Sequence, residues 1–280
     1  MLLTSKPILE SHKPDLLARA EAVQRKRGTP PHLAVLIVGE DPASQIYVRS
    51  KGNKAREHGI SSETITLPAS TAPEEVYRQI TDLNRNPAVD GILIQRPLPP
   101  SFSEEQVSYW ITPEKDVDAF HPENVGRLTL GLSCFQPCTP AGVMEILRHY
   151  GIQTTGKVAC IVGRSSIVGK PMATLLLQAD ATVIQCHSRT RDLAAHTRQA
   201  DILVVAAGKA RLIEARHVKP GAVVIDVGMH RDENNRLCGD VRFDEVQPIA
   251  SAITPVPGGV GPMTILRLLE NTVLSAERKL

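Results

Sequence analysis

The sequence predicts an α/β protein with two domains, each built around a parallel β-sheet. Short apolar stretches typical of buried strands alternate with stretches of helical spacing along almost the whole chain. One less regular stretch, between Asp118 and Thr139, interrupts this alternation. With 280 residues, 42% of them hydrophobic, the chain is long enough for one large domain or two smaller ones.

The first predicted domain spans residues 1–138. Its apolar strands alternate with helices, and the pattern is β-α-β-α-β. The predicted elements are a strand at 33–39, a helix at 42–58 with Asp41 as N-cap, a strand at 63–68, a helix at 72–84 and a strand at 91–98. A parallel sheet covered by helices on both faces is therefore expected.

The second predicted domain spans residues 139–262. Four apolar strands with helices between them are typical of a nucleotide-binding domain of the Rossmann type. The strands are expected at 157–163, 181–187, 201–208 and 222–228, with helices from about 168 and around 191–199. A final amphipathic helix at 263–280 is expected to pack back on the first domain.

Composition excludes several classes of function. The formal net charge is +2 and aromatic residues make up only 3%, which disfavours binding to nucleic acid or to a membrane surface. No apolar run reaches the roughly 18 residues of a membrane span, and the first ten residues are too polar for a signal peptide. The five cysteines lack metal-ligand spacing and are expected to be buried or reduced thiols. These observations predict a cytoplasmic protein without a metal site.

The stretch GRSSIVGKP, from residue 163, lies between a predicted strand and a predicted helix. Five residues separate Gly163 from Gly169, and Pro171 stands where a P-loop has Ser or Thr, so a kinase or ATPase is disfavoured. Ser165 replaces the middle glycine of the common dinucleotide fingerprint. A small-residue turn at a helix N-terminus can still bind an anion. The alternative is an ordinary tight turn between a strand and a helix.

The next strand distinguishes between the two nicotinamide cofactors. NAD-binding proteins usually carry an acid about 20 residues after the glycines, but this strand ends in Cys186-His187-Ser188-Arg189. Arg164 lies inside the glycine turn, and an arginine beside a hydroxyl suits a 2′-phosphate. The pattern favours NADP; alternatively, Arg164 and Arg189 are solvated surface residues.

A polar trio shares one face of the helix at 42–58. Ser44, Tyr47 and Lys51 lie three and seven residues apart, so they form either a solvated face or one wall of a cleft. Gln95 follows an apolar strand, where a glutamine is costly without a partner. Because ligands bind beyond the carboxyl ends of parallel strands, Gln95 and Asp118 are candidate site residues.

Taken together, these residues resemble the methylenetetrahydrofolate dehydrogenase/methenyltetrahydrofolate cyclohydrolase family. The matching stretches run in family order from about residue 33 to the end. They are VGEDPASQIYVRSK, DGILIQRPLP, PEKDVDAFHPENVGRL, PCTPAG, VGRSSIVGKP, DILVVAAG, VIDVG, GDV and ITPVPGGVGPMT.

The resemblance implies a role for each matching residue on the substrate side. Lys51 matches the catalytic lysine, and Gln95 matches the glutamine that contacts it. Tyr47 matches the tyrosine that stacks on the folate, Asp118 matches the aspartate that binds the pterin, and Ser44 belongs to the same substrate-binding set. The loop expected to close over the substrate contains three further matches, Gly258, Gly259 and Pro262.

On the cofactor side, the resemblance implies that Arg164 and Ser188 surround the 2′-phosphate of NADP. Thr139 matches a threonine near the nicotinamide. The matching residues of the cofactor turn are Gly163, Ser165, Ile167 and Gly169.

The implied reaction is oxidation of 5,10-methylenetetrahydrofolate with NADP, followed by hydrolysis to 10-formyltetrahydrofolate. A lysine of lowered pKa is expected to manage protons in the hydrolysis. A homodimer that pairs through the cofactor domains is also implied. Asn53, Arg96 and Ala119 depart from the family pattern, so a dehydrogenase with weak cyclohydrolase activity stays an alternative. A binding protein without turnover is a third.

Overall fold

A computed structural model describes the backbone of residues 1–280 and their side chains, apart from the side chains of residues 42–44 and 46. The chain forms two compact units. The N-terminal unit comprises Ser11–Gln136 and Arg267–Leu280, and the C-terminal unit comprises Met1–Glu10 and Pro137–Leu266.

The N-terminal unit contains a three-stranded parallel sheet in the order β2-β1-β3. Its strands are β1 (His32–Val38), β2 (Ser61–Leu67) and β3 (Gly91–Ile94). The helices that begin before residue 137 are α1 (Lys6–Arg27), α2 (Pro42–Glu57), α3 (Pro73–Arg85), α4 (Glu104–Ser108) and α5 (Pro122–Thr129). The core contains apolar side chains from β1, β3 and α3, together with Phe102, Val107 and Ile111. The predicted parallel sheet is confirmed.

Several elements of this half of the chain differ from the prediction, including the short helices α4 and α5, which are not predicted from the sequence. The third strand ends at Ile94 rather than continuing to residue 98, and the Arg96–Pro97 peptide beyond it is cis. Proline has no N–H to donate to a sheet, so Pro97 cannot extend the strand. Helix α1 is not predicted from the sequence. It contains Pro14, a residue type that ends or bends most helices.

The C-terminal unit contains a five-stranded parallel sheet in the order β10-β7-β6-β4-β5. Its strands are β4 (Val158–Val162), β5 (Thr182–Cys186), β6 (Ile202–Val205), β7 (Val223–Asp226) and β10 (Ala252–Ile253). An antiparallel hairpin pairs β8 (His230–Arg231) with β9 (Leu237–Cys238). The remaining helices are α6 (Cys138–His149), α7 (Gly169–Gln178), α8 (Leu193–Thr197), α9 (Phe243–Val246) and α10 (Val260–Glu277).

The four predicted strands of this unit are confirmed, and β10 adds an edge strand that the sequence analysis missed. A buried cluster from β4, β6 and β7 fills the core, with Ile213, Val241 and Val246 packed into it. Such all-parallel sheets gather the carboxyl ends of their strands along one edge, where nucleotide-binding sites form.

The first ten residues do not lie where the domain prediction of 1–138 placed them. The backbone N–H of Leu3 donates to the carbonyl of Ile253 at 2.9 Å, and Ile253 N donates to Met1 O at 3.0 Å. Ser5 N donates to Gly258 O at 2.8 Å. These bonds extend the β10 edge of the C-terminal unit, so the segment belongs to that unit. Residues of α10 from Arg267 onward belong to the N-terminal unit.

Candidate active site

Lys51 lies on α2 with its side-chain Nζ between Gln95 and Tyr47. Its Nζ donates to Gln95 Oε1 at 3.1 Å and lies 4.5 Å from the centroid of the Tyr47 ring. Only 6% of Lys51 and 9% of Gln95 are exposed. A carbonyl oxygen and an aromatic face both stabilise a cation. The structure thus brings together three of the residues that the sequence singles out.

Gln95 is held at the carboxyl end of the sheet by both its backbone and its side chain. Its N–H donates to Leu36 O in β1 at 2.9 Å, one residue beyond the end of β3. Its Nε2 donates to the carbonyl of Arg96 at 2.6 Å, which leaves Oε1 to receive Lys51. The buried amide therefore fixes the direction in which the lysine points.

Arg96 and Asn53, two residues that depart from the family pattern, form hydrogen bonds with residues other than Lys51 and Gln95. The guanidinium of Arg96 donates to Glu104 Oε2 at 2.9 Å and to Ser108 Oγ at 2.8 Å, both on α4. Asn53 lies on the exposed face of α2, where its Oδ1 accepts a hydrogen bond from Arg56. Neither side chain is a partner of the Lys51–Gln95 bond, so neither departure disturbs it.

Asp118 lies half-buried in the loop of residues 115–121, called here the Asp118 loop. Asp116 pairs with Ile92 of β3 in a parallel bridge, so Asp118 and Gln95 both lie toward the carboxyl edge of the sheet. The Asp116 carboxylate accepts hydrogen bonds from His121 N at 2.8 Å and from Asn124 Nδ2 at 2.9 Å. The loop is thereby folded around a buried acid.

Burial controls the ionisation of Asp116. Only 1% of this residue is exposed, and burial raises its pKa from 3.8 to about 6, against the hydrogen bonds from Asn124, His121 and Phe120 that favour the carboxylate. The nearby Asp118 charge contributes to this rise in the pKa of Asp116.

Ala119 has a left-handed backbone, with φ +62°, and is fully buried. The family pattern has glycine here, the residue that adopts this conformation without strain. The departure at Ala119 thus changes the local backbone strain. Ser44, the remaining predicted residue of α2, lies outside the described side chains.

The turn after β4 packs backbone against backbone. Gly163 has φ +138°, and a Cβ placed there would overlap the carbonyl of Ala206 at the end of β6. A Cβ on Gly169 would overlap the carbonyl of Gly163. Ser165 Oγ accepts hydrogen bonds from Val168 N and Gly169 N, each at 3.2 Å. The turn is therefore a rigid entry to α7 that leaves no room for larger residues at its two glycines.

Arg164 and Ser188 lie at the same edge of the C-terminal sheet. β4 and β5 pair in register with Val162 opposite Cys186, and Arg164 and Ser188 each follow two residues later. Both are exposed, while Ile167 in the turn is half-buried. The tip of β5 carries no acidic residue. A cation and a hydroxyl beside a helix N-terminus fit a phosphate group.

Thr139, Gly259 and Pro262 also belong to the C-terminal unit. Pro262 lies in α10, which begins at Val260, and not in the loop predicted from the sequence. Thr139 Oγ1 lies 2.9 Å from Thr264 Oγ1, which joins the first turn of α6 to that of α10. A Cβ on buried Gly259 would lie 2.6 Å from the Pro255 carbonyl oxygen, and Pro262 is half-buried at the start of α10. Their roles toward cofactor and substrate stay predictions.

A buried acidic network that is not predicted from the sequence begins at Asp226, the last residue of β7. Asp226 accepts hydrogen bonds from the backbone N–H groups of Gly228, Asp240 and Val241, each at 2.9 Å. Burial raises the pKa of Asp226 to about 6. The stretches VIDVG and GDV contain Asp226 and Asp240. An acid among apolar residues and glycines is costly to bury without partners, and this pattern could have predicted the network.

Asp240 extends this network to the end of β6. Its Oδ2 accepts from Ala207 N at 2.6 Å and from Gly208 N at 3.0 Å, and its Oδ1 lies 2.6 Å from His230 Nε2. The network fixes the backbone that follows the Ala206 carbonyl, on which Gly163 packs.

Two further findings concern the described residues. None of their histidine, cysteine, aspartate and glutamate side chains form a group of three or more that could hold a metal ion. No helix within the described part of the chain is both long and apolar enough to cross a membrane.

Comparison with known families assigns the two halves of the chain. Residues 3–118 match the model of the tetrahydrofolate dehydrogenase/cyclohydrolase catalytic domain, and residues 137–280 match that of the NAD(P)-binding domain of the same family. The chain belongs to the tetrahydrofolate dehydrogenase/cyclohydrolase family. The two-domain α/β fold class predicted from the sequence is therefore confirmed.

Relatives of this family match over almost their whole length. The bifunctional protein FolD of Chloroherpeton thalassium is 53% identical over 99% of this chain and 98% of its own. The crystal structure of the bifunctional FolD of Campylobacter jejuni is 48% identical with a TM-score of 0.97, covering 100% of this chain and 99% of its own. The Trypanosoma brucei enzyme, solved with NADP cofactor and inhibitor, is 38% identical with a TM-score of 0.94, covering 100% and 98%.

Proposed function

We propose that this chain oxidises 5,10-methylenetetrahydrofolate with NADP and hydrolyses the resulting 5,10-methenyltetrahydrofolate to 10-formyltetrahydrofolate. Family membership and relatives near 50% identity support both activities. The observation that carries the proposal is the position of the buried Lys51 Nζ between Gln95 Oε1 and the Tyr47 ring.

The residues of the C-terminal unit suit NADP. Gly163 and Gly169 let the turn pack closely on the carbonyls of Ala206 and Gly163, and the turn leads into the N-terminus of α7, whose dipole favours phosphate. Arg164 and Ser188 would hold the 2′-phosphate, since a guanidinium makes charge-assisted hydrogen bonds to phosphate oxygens. When bound, NADP supplies the hydride acceptor of the dehydrogenase step.

On the substrate side, each residue has a role that its chemistry permits. Asp118 accepts the paired N–H groups at the pterin edge, and Tyr47 covers the flat ring. In its neutral amine form, Lys51 Nζ takes the proton that the attacking water loses and becomes an ammonium, which the Gln95 carbonyl and the Tyr47 ring stabilise. The ammonium returns this proton to N5 as the C–N5 bond breaks. Gln95 Oε1 orients Nζ for both transfers.

The two alternatives have less support. Weak hydrolysis would require Asn53 or Arg96 to disturb Lys51, but Arg96 is bound to Glu104 and Ser108, and Asn53 lies on the exposed face of α2. A binding protein without turnover would have no need of a lysine held at 6% exposure.

The test is an assay of both steps with a matched pair of variants. Wild-type enzyme mixed with methylenetetrahydrofolate and NADP is expected to form NADPH, with methenyltetrahydrofolate rising and then decaying by absorbance. Lys51→Met is expected to abolish the decay. Lys54→Met is the control, because Lys54 is on the same helix but half exposed. Absence of NADPH formation in the wild type would refute the proposal, and accumulation without decay would favour the weak hydrolase.

We also propose a homodimer and a cytoplasmic location. The family resemblance implies pairing through the NADP-binding units. Exposed Met229 and Leu237, at the hairpin of the C-terminal unit, offer apolar surface for it. None of the five cysteines, all of which lie in the described part of the chain, forms a disulfide, which suits a reducing compartment. Light scattering at two protein concentrations and cell fractionation test these two proposals.

A further inference from the structure

The side chain of Asn271, on α10, reaches the backbone of the Asp118 loop. Its Nδ2 donates to Val117 O at 2.8 Å and to Gln136 O at 3.1 Å. Val117 lies 154 residues away in sequence and directly precedes Asp118. Asn271 is 4% exposed; its bond to Val117 is buried and its bond to Gln136 is partly buried. One amide group thus fixes the peptide that carries the candidate pterin ligand.

The Asp118 loop is held on the other side by Asp116. Its carboxylate accepts from His121 N and Asn124 Nδ2, and its carbonyl accepts from Ala119 N at 3.0 Å. Asn271 and Asp116 therefore restrain the backbone before and after Asp118. Ala119 lies between these restraints in a strained left-handed conformation, which persists only when its surroundings enforce it.

We propose that Asn271 is a positioning residue for Asp118 and thereby sets affinity for the pterin, an inference that rests on the proposed function. A carboxylate accepts two parallel N–H groups only when its two oxygens point toward both donors, so a small change in its orientation weakens both hydrogen bonds. A displacement of about 1 Å at such a group can cost about a hundredfold in rate or affinity. Asn271 donates to the backbone carbonyls of Val117 and Gln136, whereas Gln95 and Tyr47 contact Lys51. We therefore expect substrate affinity to depend on Asn271 more than kcat for hydrolysis does.

The test compares Asn271→Ala with Thr272→Val, the next residue on α10. Thr272 is also buried, but its hydroxyl bonds to Leu268 O inside the helix. Asn271→Ala leaves room for water beside the two carbonyls, and Asn271→Leu fills that room. Titration calorimetry with tetrahydrofolate and, separately, with NADP gives the two affinities without turnover, well below each variant's melting temperature.

We expect both Asn271 variants to bind tetrahydrofolate about tenfold or more weakly. NADP affinity should stay within twofold of wild type, and KM for methylenetetrahydrofolate should rise more than kcat falls. Thr272→Val should have the same tetrahydrofolate affinity, NADP affinity, KM and kcat as the wild type. The proposal is overturned if Asn271→Ala binds tetrahydrofolate as the wild type does, or if both affinities fall together. A wild type that neither binds tetrahydrofolate nor turns over would instead refute the proposed function.

Discussion

The loops at the carboxyl edges of the two sheets are fixed in opposite ways. The turn from Gly163 to Gly169 is held by close backbone packing, and a methyl group at either glycine would overlap a carbonyl. The Asp118 loop is held by buried polar side chains, chiefly Asp116 and Asn271. We therefore expect the first loop to lose its conformation when atoms are added at its glycines. We expect the second loop to lose its conformation when one of its buried polar groups is removed.

The largest effect expected from this comparison is that of Gly163→Ala. The added methyl overlaps the Ala206 carbonyl, which cannot move away because Asp240 holds the next two residues. We expect loss of NADP binding and a free energy of unfolding lower by about 3 kcal/mol or more. Urea denaturation and calorimetry measure the two effects.

Gly156→Ala is the matched control, since Gly156 also has a positive φ, +72°, but has open space around it. Backbone strain alone should cost about 1–2 kcal/mol there and leave NADP binding unchanged. Equal losses in the two variants would show that strain, and not close packing, limits the turn.

The pH dependence of stability tests the buried acid of the Asp118 loop. The pKa of Asp116 rises from 3.8 in the unfolded chain to about 6 in the fold. Its contribution to stability is therefore complete below pH 3.8 and is lost as pH rises through 6, by roughly 3 kcal/mol at most. Urea unfolding between about pH 4.5 and 7.5 should show a smaller decline for Asp116→Asn than for the wild type. Parallel curves would contradict the buried carboxyl.

A more moderate effect is expected at the cofactor turn from Arg164→Ala. The variant should bind NADP about tenfold to a hundredfold more weakly, because one charge-assisted contact to the 2′-phosphate is lost. NAD affinity should change little. Lys170→Ala, which removes an exposed cation at the start of α7, is the control. If the variant binds NADP and NAD more weakly by the same factor, Arg164 does not bind the 2′-phosphate.

Ala119→Gly should have the smallest effect. Glycine relieves left-handed strain of about 1–2 kcal/mol, but it loses a buried methyl and gains freedom in the unfolded chain, which together offset most of that gain. We expect the free energy of unfolding to change by less than about 1 kcal/mol. Ala20→Gly, at a buried helical position, should lose more than 1 kcal/mol by thermal or urea unfolding. A larger loss at Ala119 than at Ala20 would show that the alanine is not strained.

Much of the fold and site was predictable because it rests on local patterns. Buried strands appear as apolar runs, and helices by their spacing, so the two parallel sheets follow from the order of elements. Lys51 and Tyr47 lie on one helix face because of their spacing, and Gln95 follows a strand at the edge where ligands bind. Helix α1 was not predicted because it contains Pro14, a residue type that usually ends helices. Strand β10 was not predicted because two residues are too few to form a recognisable apolar run.

By itself, the sequence determined the residue types at each site: the small residues of the turn, the arginine within it and the lysine of α2. Tertiary structure alone decided which distant groups meet. Leu3 joins the edge of a sheet at Ile253, and Asn271 bonds to a carbonyl 154 residues away. Only folding removes Asp116 from water and so raises its pKa. The physical reason is that periodicity and turn chemistry act between neighbours, whereas desolvation and long-range hydrogen bonds depend on the assembled chain.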